Sequence, residues 1–297
     1  MLNLLVNPIA GGKKGKRMIK NLALIENRLK NHNAEYAVYR TEKRGDATVL
    51  TKKLIEDGAD NVIVVGGDGT LHEVINGFSR FDKVALGIIP CGTGNDFAAA
   101  LGIPEDPVKA TDIIVNGEPQ FTDYMQMPTV RGLNIIGMGI DVEVLKLYAA
   151  SKKKTKLTYT KCLIKALVGF KPVKFAAALD DGEKISYESF MACVANGHRY
   201  GGGIPICPVA NPRDKKLDFI AVKGMGKLKI TAAVIKLKAG KILTIKETTH
   251  KNMQTVKIMP EAEHYTVNVD GELYEDIPFE VKIVSDELRV YNKKQVL

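Results

Sequence analysis

The stretch Asn61–Phe78, NVIVVGGDGTLHEVINGF, constrains the fold more than any other part of the chain. A short apolar run, Val62–Val65, stops at the sequence GGDGT (66–70), and apolar residues then recur at helical spacing. A strand, a glycine turn and a helix in this order direct backbone N–H groups at an anion, and glycines let the backbone approach it closely. The stretch therefore indicates nucleotide binding. The alternative is a tight strand-to-helix turn with an acidic residue near the helix start.

The first part of the chain repeats this alternation of strand and helix. Apolar runs at Leu2–Val6, Glu35–Tyr39 and Val84–Ile89 are expected to form further strands, and helical periods lie at Lys13–Asn31 and Ala47–Gly58. This order predicts parallel pairing in an α/β layered domain. Polar turns follow four of the strands, so they would gather at one edge of the sheet, where ligands bind in such domains.

The pattern changes after about Met125. Short runs with partial alternation, separated by Gly, Asn and Asp turns, are typical of an antiparallel sandwich or barrel. The runs expected to be strands are 133–137, 174–179, 190–195, 217–222, 255–259, 265–269, 279–283 and 288–291. The expected fold class is α/β plus β, with a parallel-sheet α/β domain at 1–124 and a β-sandwich domain at 125–285. The tail, about 286–297, is a candidate to pack back on the first domain.

Charge and cysteine usage narrow the partners and the compartment. A net charge of +9 requires a nucleic acid, an anionic membrane surface or an anionic substrate. Trp is absent, aromatics make up 6%, and no nucleic-acid-binding pattern is recognisable, so no nucleic-acid partner is expected. The four cysteines lack CxxC pairing, which argues against zinc and against a disulfide framework. With no secretory leader and no apolar run long enough to span a bilayer, the sequence predicts a cytoplasmic protein.

Three blocks together resemble the diacylglycerol kinase catalytic-domain family, and more narrowly its soluble bacterial lipid kinases. They are GGDGT at 66–70, PCGTGND at 90–96 and VDGE at 269–272, in matching order and rough spacing. Further matches are Asn7-Pro8 with Gly11-Gly12, Asn196-Gly197 before three glycines at 201–203, and the segment from Asp214 to Asp218. GGDGT is shared with NAD kinases and loosely with phosphofructokinases. The other two blocks make the resemblance to lipid kinases more specific, and it covers essentially the whole chain.

This resemblance implies an ATP- and Mg²⁺-dependent kinase that phosphorylates a lipid hydroxyl in the cleft between the two domains. The residues it implies around the nucleotide are Asn7, Gly11, Gly12, Thr41, Gly66, Gly67, Asp68, Gly69, Thr70, Thr93 and Asn95. Asp68 and Asp96 are the implied ligands of the catalytic Mg²⁺, with Asp123 as a third candidate. Asp270 and Glu272 are implied at the acceptor hydroxyl, and the sequence does not distinguish which of them is the base.

The resemblance also implies a structural Mg²⁺ in the second domain. Its ligands would be the Asp214 side chain and the main-chain carbonyls of Asn211 and Lys216. Here the sequence departs from the family pattern, because Lys215 and Lys216 replace a glycine and an apolar residue.

Two segments, Lys152–Lys174 and Met225–Ile245, interleave lysines with apolar residues. They are either solvated charge on ordinary helices or a docking surface for an anionic leaflet, where each Lys contributes on the order of 1 kcal/mol. A lipid substrate favours the second interpretation, with peripheral attachment at the inner membrane face. Strand edges in the second domain leave a homodimer open.

Two alternatives to a lipid kinase stay open at this point. One is an NAD kinase-like or other soluble-substrate kinase on the same scaffold, and the other is a non-catalytic nucleotide-binding relative. The sequence does not identify the acceptor lipid, since diacylglycerol, phosphatidylglycerol, a sphingoid base and an undecaprenol-like alcohol all present a hydroxyl on an apolar body.

Overall fold

The computed structural model of the chain describes residues 1–11, 16–152, 155–180, 182 and 184–294. The chain divides into two compact units. The first comprises Met1–Asp123 together with the chain from Ser285 onward, and the second comprises Tyr124–Val284. The first is a parallel-sheet α/β unit and the second is a β-sandwich-like unit, which confirms the predicted fold class.

The chain up to Phe121 alternates strands and helices, as predicted. Its elements are β1 (Leu2–Val6), α1 (Lys16–Asn31), β2 (Tyr36–Arg40), α2 (Asp46–Glu56), β3 (Asn61–Gly66), α3 (Asp68–Gly77), β4 (Ala85–Pro90), α4 (Asp96–Ala100), α5 (Pro107–Asn116) and β5 (Glu118–Phe121).

The rest of the chain contains most of the strands. The elements are β6 (Tyr124–Gln126), β7 (Arg131–Gly132), β8 (Ile135–Gly139), α6 (Ile140–Ala149), α7 (Lys156–Gly169), β9 (Val173–Leu179), β10 (Lys184–Ala195), β11 (Leu217–Lys223), α8 (Lys227–Lys238), a 3₁₀ turn (Ile242–Thr244), β12 (Thr248–Met253), β13 (Thr255–Pro260), β14 (Thr266–Val269), β15 (Glu272–Glu275), β16 (Phe279–Val284) and β17 (Arg289–Asn292).

Within the described ranges, the sheet of the first unit has six strands in the order β2-β1-β3-β4-β17-β5. β5 runs antiparallel to β17, and the other neighbours are parallel. β3 and β4 are buried at every residue, which explains their continuous apolar sequences, because a parallel sheet is covered on both faces. The carboxyl ends of β1 to β4 share one edge, so the turns that follow them lie at that edge, as predicted.

β17 belongs to the first unit although its sequence resembles the strands before it. It pairs in parallel with β4 and antiparallel with β5. Periodicity groups this run with the antiparallel runs of the second half, because alternation identifies a strand and does not say which sheet it joins.

The described part of the second unit contains one hydrogen-bonded sheet of eleven strands. Nine follow the order β15-β14-β8-β10-β9-β13-β16-β6-β7, and β11 pairs with β10 and with β12. One core includes Phe175, Phe219 and Phe279. A second core includes Ile220 and Leu163, so neighbouring residues of β11 point into different cores and helices cover one face of the sheet. The short or polar strands β5, β6, β7, β12 and β15 had no clear sequence signal.

None of the described helices combines the length and the apolar character that crossing a bilayer requires.

Candidate functional site

The turns after β1, β3 and β4 contact one another at the carboxyl edge of the parallel sheet. The side-chain amide of Asn7 donates to Thr70 Oγ1 at 2.9 Å. The backbone N–H of Cys91 donates to the carbonyl of Gly66 at 2.7 Å. Gly11 lies against the carbonyl of Cys91, where a Cβ would stand 2.7 Å from that oxygen. Residues predicted from three separate turns therefore form one cluster.

Two glycines permit the closest approach in this cluster. A Cβ on Gly67 would stand 2.8 Å from the Cα of Gly92, and a Cβ on Gly92 would overlap Gly67 in return. Asn95 fixes the Gly92 turn, because its Oδ1 accepts the Gly92 N–H at 2.9 Å and its Nδ2 donates to the Gly92 carbonyl at 3.2 Å. Two backbones thus meet without intervening side chains, which is the surface that phosphate-binding turns provide.

Two carboxylates flank the same cluster. The carboxylate of Asp68, the first residue of α3, accepts the backbone N–H groups of Asn95 at 2.7 Å and Asp96 at 2.9 Å. A Cβ on Gly94 would stand 2.5 Å from Asp68 Oδ2 and 3.2 Å from Asp96 Oδ2, so both carboxylates lie beside that glycine. Asp68 keeps part of its surface exposed, but burial of its carboxylate and the neighbouring Asp96 raise its pKa to about 7. Hydrogen bonds from backbone N–H groups oppose this rise.

This pair of carboxylates fits a divalent cation. Two like charges at one enclosed site are stable only when a proton or a cation offsets them. Mg²⁺ prefers carboxylate oxygens over nitrogen or sulfur ligands. Asp68 and Asp96 are therefore the residues of the first unit that would hold a nucleotide-bound Mg²⁺.

The other predicted nucleotide residues lie at the same edge where they are described. The N–H of Thr41, directly after β2, donates to the carbonyl of Val6 at 3.0 Å, which places Thr41 beside the end of β1. Gly69 lies in the first turn of α3, and both Gly69 and Thr93 are exposed. Gly12 lies outside the described residues.

Asp123 lies apart from these turns. It is buried after β5, and the last residue of β5, Phe121, is opposite Arg289. Arg289 is also opposite Ala85, the first residue of β4. The chain at Asp123 has therefore returned to the amino ends of the parallel strands, and the cation assignment depends on the other two carboxylates.

In the second unit, Asp270 and Gly271 form the two-residue turn between β14 and β15. Their φ angles are +53° and +97°, as a type I′ hairpin turn requires, and Asp-Gly adopts this turn readily. The Asp270 carboxylate accepts the backbone N–H groups of Leu133, Asn134 and Ile135 at 2.6, 2.9 and 3.0 Å. Asp270 therefore binds the hairpin to the turn before β8. The sequence did not predict this contact, because the family resemblance implied for Asp270 only a role at the acceptor.

Glu272 lies on the same hairpin in different surroundings. It is the half-buried first residue of β15 and pairs with Val269 across the ladder. The hairpin thus carries both of the carboxylates predicted at the acceptor.

A buried polar pair supports the hairpin from within the second unit. Asn268 Oδ1 accepts the N–H of Gly271 at 2.8 Å, and Asn268 Nδ2 donates to Asp141 Oδ2 at 2.9 Å. Asp141 lies in the first turn of α6, and burial raises its pKa to about 6 while the hydrogen bond from Asn268 opposes that rise. Sequence reasoning missed both residues. The available signal was a polar residue within the short apolar strand TVNV.

The family-matched pair Asn196-Gly197 packs on the turn that Asp270 binds. The carbonyl of Asn134 accepts the N–H groups of both residues at 2.9 Å, and Asn196 Nδ2 donates to the carbonyl of Leu133 at 2.7 Å. The turn at Leu133–Ile135 therefore receives contacts from one of the three family-like blocks, through Asp270, and from a further family match, Asn196-Gly197.

Two of the three predicted ligands of the structural Mg²⁺, the Asn211 carbonyl and the Asp214 carboxylate, accept local hydrogen bonds. The carbonyl of Asn211 accepts the N–H groups of Arg213 at 2.8 Å and Asp214 at 3.3 Å. Asp214 Oδ1 accepts the N–H of Lys216 at 3.1 Å. These contacts show that Asn211, Asp214 and Lys216 belong to one local turn, and the cation at this turn stays a prediction.

Two family models match the chain. The model described as the diacylglycerol kinase catalytic domain matches residues 1–127, and the model described as the YegS C-terminal NAD kinase beta sandwich-like domain matches residues 134–292.

Two curated relatives match over most of their lengths. The diacylglycerol kinase of Staphylococcus carnosus is 27% identical, with 99% of this chain and 95% of the relative covered. The diacylglycerol kinase of Bacillus subtilis is 30% identical, with 91% and 88% covered. A crystal structure of a Bacillus anthracis protein, 24% identical, has a TM-score of 0.80 and covers all of this chain and 98% of that one, which shows the shared fold.

Proposed function

The chain belongs to the diacylglycerol kinase family, and on that premise we propose that it transfers the γ-phosphoryl group of ATP to a lipid hydroxyl, with diacylglycerol or a related lipid as acceptor. The observation that carries this proposal is the cluster of backbone turns beside the carboxylates of Asp68 and Asp96. Phosphoryl transfer depends on positioning and charge neutralisation, and this cluster offers the groups for both.

In the first unit, the backbone N–H groups of the glycine turns bind the phosphates, and Thr70 is oriented for the same purpose by Asn7. Asp68 and Asp96 would hold the Mg²⁺ of the nucleotide, and a Mg²⁺ bound there would supply positive charge to offset the charge that develops on the transferred group. Thr41, Thr93 and the other predicted residues complete the nucleotide site in this proposal.

In the second unit, the hairpin carboxylates serve the acceptor. Asp270 and Glu272 orient the lipid hydroxyl, and one of the two takes its proton late in the transfer, as the catalytic-loop Asp of a protein kinase does. Because three backbone N–H groups bind Asp270, that residue also fixes the hairpin. Asn268 and Asp141 are positioning residues for the same turn.

Peripheral attachment to an anionic membrane on the cytoplasmic side is part of this proposal. On α7, Leu157 and Ile164 are 66% and 52% exposed, and they share a helical face with the exposed Lys161 and Lys165. On α8, Ile235 is 65% exposed among further lysines. Exposed apolar side chains among lysines suit the interface of an anionic leaflet. A homodimer also stays a prediction.

Transfer of labelled γ-phosphate from ATP to lipids in anionic vesicles tests the function. The panel contains diacylglycerol, phosphatidylglycerol, a sphingoid base and undecaprenol, with NAD as the soluble control acceptor. We expect Mg²⁺-dependent label on at least one lipid and none on NAD. Label on NAD alone would establish the soluble-substrate alternative, and ATP binding without transfer to any acceptor would establish the non-catalytic one.

Two sets of variants connect that assay to the site. Glu272→Gln should lose turnover and keep ATP binding, whereas Asp96→Asn should weaken Mg²⁺-dependent nucleotide binding. The matched control is Asp82→Asn, which alters an exposed carboxylate in the same unit as Asp96 and should change neither turnover nor nucleotide binding.

For the membrane, the double variant Lys161→Glu with Lys165→Glu should reduce vesicle binding and its salt dependence. Unchanged sedimentation with anionic vesicles would remove α7 from the proposal.

A further inference from the structure

A cluster of three potential metal ligands lies at an edge of the second unit's sheet, on residues that phosphoryl transfer does not use. Asp218 is on β11, His250 is on β12, and Cys207 is in the loop before β11. In the antiparallel register Asp218 is opposite Asn252 and Ile220 is opposite His250. Asp218 and His250 are therefore diagonal neighbours on one face, a separation that long side chains bridge.

The ligand atoms of this cluster already converge. One atom from each of Cys207, Asp218 and His250 lies within 4.8 Å of the other two. His250 Nε2 is 2.6 Å from Asp218 Oδ1, and the Cys207 thiol is hydrogen-bonded to Asp218. Cys207 is fully buried, the Asp218 side chain is 2% exposed and the His250 side chain is 27% exposed. The cluster thus has an enclosed side and one side that solvent reaches.

We propose that Cys207, Asp218 and His250 bind a Zn²⁺ ion, with the fourth position open to water on the exposed side of His250. Zn²⁺ accepts sulfur, nitrogen and oxygen ligands at ~2.0–2.3 Å, so the ligand atoms of a tetrahedral site lie ~3.5 Å apart. The present separations come within reach of that geometry through small side-chain rotations. A thiol and an imidazole select a borderline metal over Mg²⁺ or Ca²⁺, which prefer oxygen.

A neighbouring amide orients the central ligand. Asn252 Nδ2 donates to Asp218 Oδ1 at 2.8 Å. Ligating carboxylates in metal sites are held by such contacts, which fix their orientation.

The site would join a long loop to the edge of the sheet. Cys207 lies in the connection between β10 and β11, and β12 pairs with β11 in the described sheet. A metal that binds the folded chain and not the unfolded one stabilises the fold by mass action. We therefore expect Zn²⁺ to raise the Tm of the second unit. The three ligands lie far apart in sequence. The spacing of the cysteines, which argues against zinc, therefore cannot reveal a site of this kind.

Cobalt spectroscopy on the full-length chain tests this site. Co²⁺ is titrated into metal-free protein, and the spectrum reports both a thiolate ligand and tetrahedral geometry. We expect one Co²⁺ per chain, a thiolate-to-cobalt charge-transfer band, displacement by Zn²⁺ and no displacement by excess Mg²⁺. Cys207→Ser should abolish the band, whereas Cys162→Ser, which alters a buried thiol outside the cluster, should keep it.

A second variant guards against loss of folding. His250→Gln changes a partly exposed side chain and can still donate to Asp218, so its circular dichroism without metal should match the wild type. Its Zn²⁺ affinity should fall by more than the ~10–100-fold that loss of an outer contact costs. An octahedral Co²⁺ spectrum without the charge-transfer band, or wild-type affinity in either cluster variant, would overturn the assignment.

Discussion

Replacement of Asp68 by asparagine should change the pH dependence of stability in a direction that the structure fixes. Burial and Asp96 raise the pKa of Asp68 from its ordinary value of 3.8 to about 7. Between these pH values the folded chain keeps a proton that the unfolded chain has lost. The folded state therefore binds more protons there, and stability falls as the pH rises through this window.

The size of the effect follows from the same values. One pKa unit corresponds to ~1.4 kcal/mol, so the difference between 3.8 and about 7 lowers the free energy of unfolding of the metal-free protein by ~4 kcal/mol once the pH exceeds 7. About 3 kcal/mol of this decrease occurs as the pH rises above 5. The asparagine of the variant is neutral at every pH, so this position no longer makes the free energy of unfolding depend on pH. It keeps one acceptor oxygen for the two N–H groups that Asp68 binds, and the lost hydrogen bond costs ~1–3 kcal/mol.

Asp68→Asn should therefore be about as stable as the wild type at pH 5 and ~2 kcal/mol more stable at pH 8. Urea unfolding without metal measures this by circular dichroism, because the chain has no Trp. Because the chain has two units, the unfolding transition of the first unit must be identified. Ile75→Ala identifies it, because it truncates a fully buried core side chain of that unit and should destabilise that transition. Asp82→Asn is the exposed control, and its stability should show the same pH dependence as that of the wild type.

The same variant should be inactive as a kinase despite its greater stability at pH 8, since it removes one of the two proposed ligands for Mg²⁺. A difference in unfolding free energy that stays constant between pH 5 and pH 8 would refute the buried-pair reasoning. Full turnover in Asp68→Asn would refute its role as a cation ligand.

Four other changes probe three separate parts of the chain. Gly92→Ala should destabilise the first unit by about 3 kcal/mol in urea unfolding, because the new Cβ overlaps Gly67, and a neutral result would show that the turns separate freely. Asp106→Ala removes the side chain that caps α5 through two backbone N–H groups and should cost ~1 kcal/mol by the same measurement, whereas no loss would mean that water replaces the cap. Asp270→Asn should lower both kcat and the Tm, because its carboxylate holds a backbone turn, while Glu272→Gln should lower kcat alone; equal Tm losses would contradict this division.

Much of the nucleotide cluster could be predicted because its information is local. The turns around Gly67 and Gly92 follow buried strands, and parallel pairing brings the ends of such strands to one edge. Asn7 and Thr70 were predicted from different turns, and their hydrogen bond is the contact that this rule implies. The repulsion between Asp68 and Asp96 was not predictable, because it depends on how close the two loops come.

The hairpin shows where local information ends. Asp270-Gly271 predicts a tight turn from its own sequence, and the φ angles agree. Its binding to the backbone at Leu133–Ile135 joins segments 135 or more residues apart, and no periodicity encodes that pairing. The same holds for Asp141 beneath the hairpin, which the sequence shows only as an acidic residue near a helix start.

By itself, the sequence determined the order of strands and helices, the glycine turns and the family resemblance, since each is a pattern within a short window. Only the tertiary structure decided that β17 lies between β4 and β5, that the Asp270 carboxylate binds the backbone at Leu133–Ile135, and that Cys207 and His250 meet at Asp218. Side chains distant in sequence become neighbours through strand register and packing, and the free energies that set register and packing are sums over many residues at once.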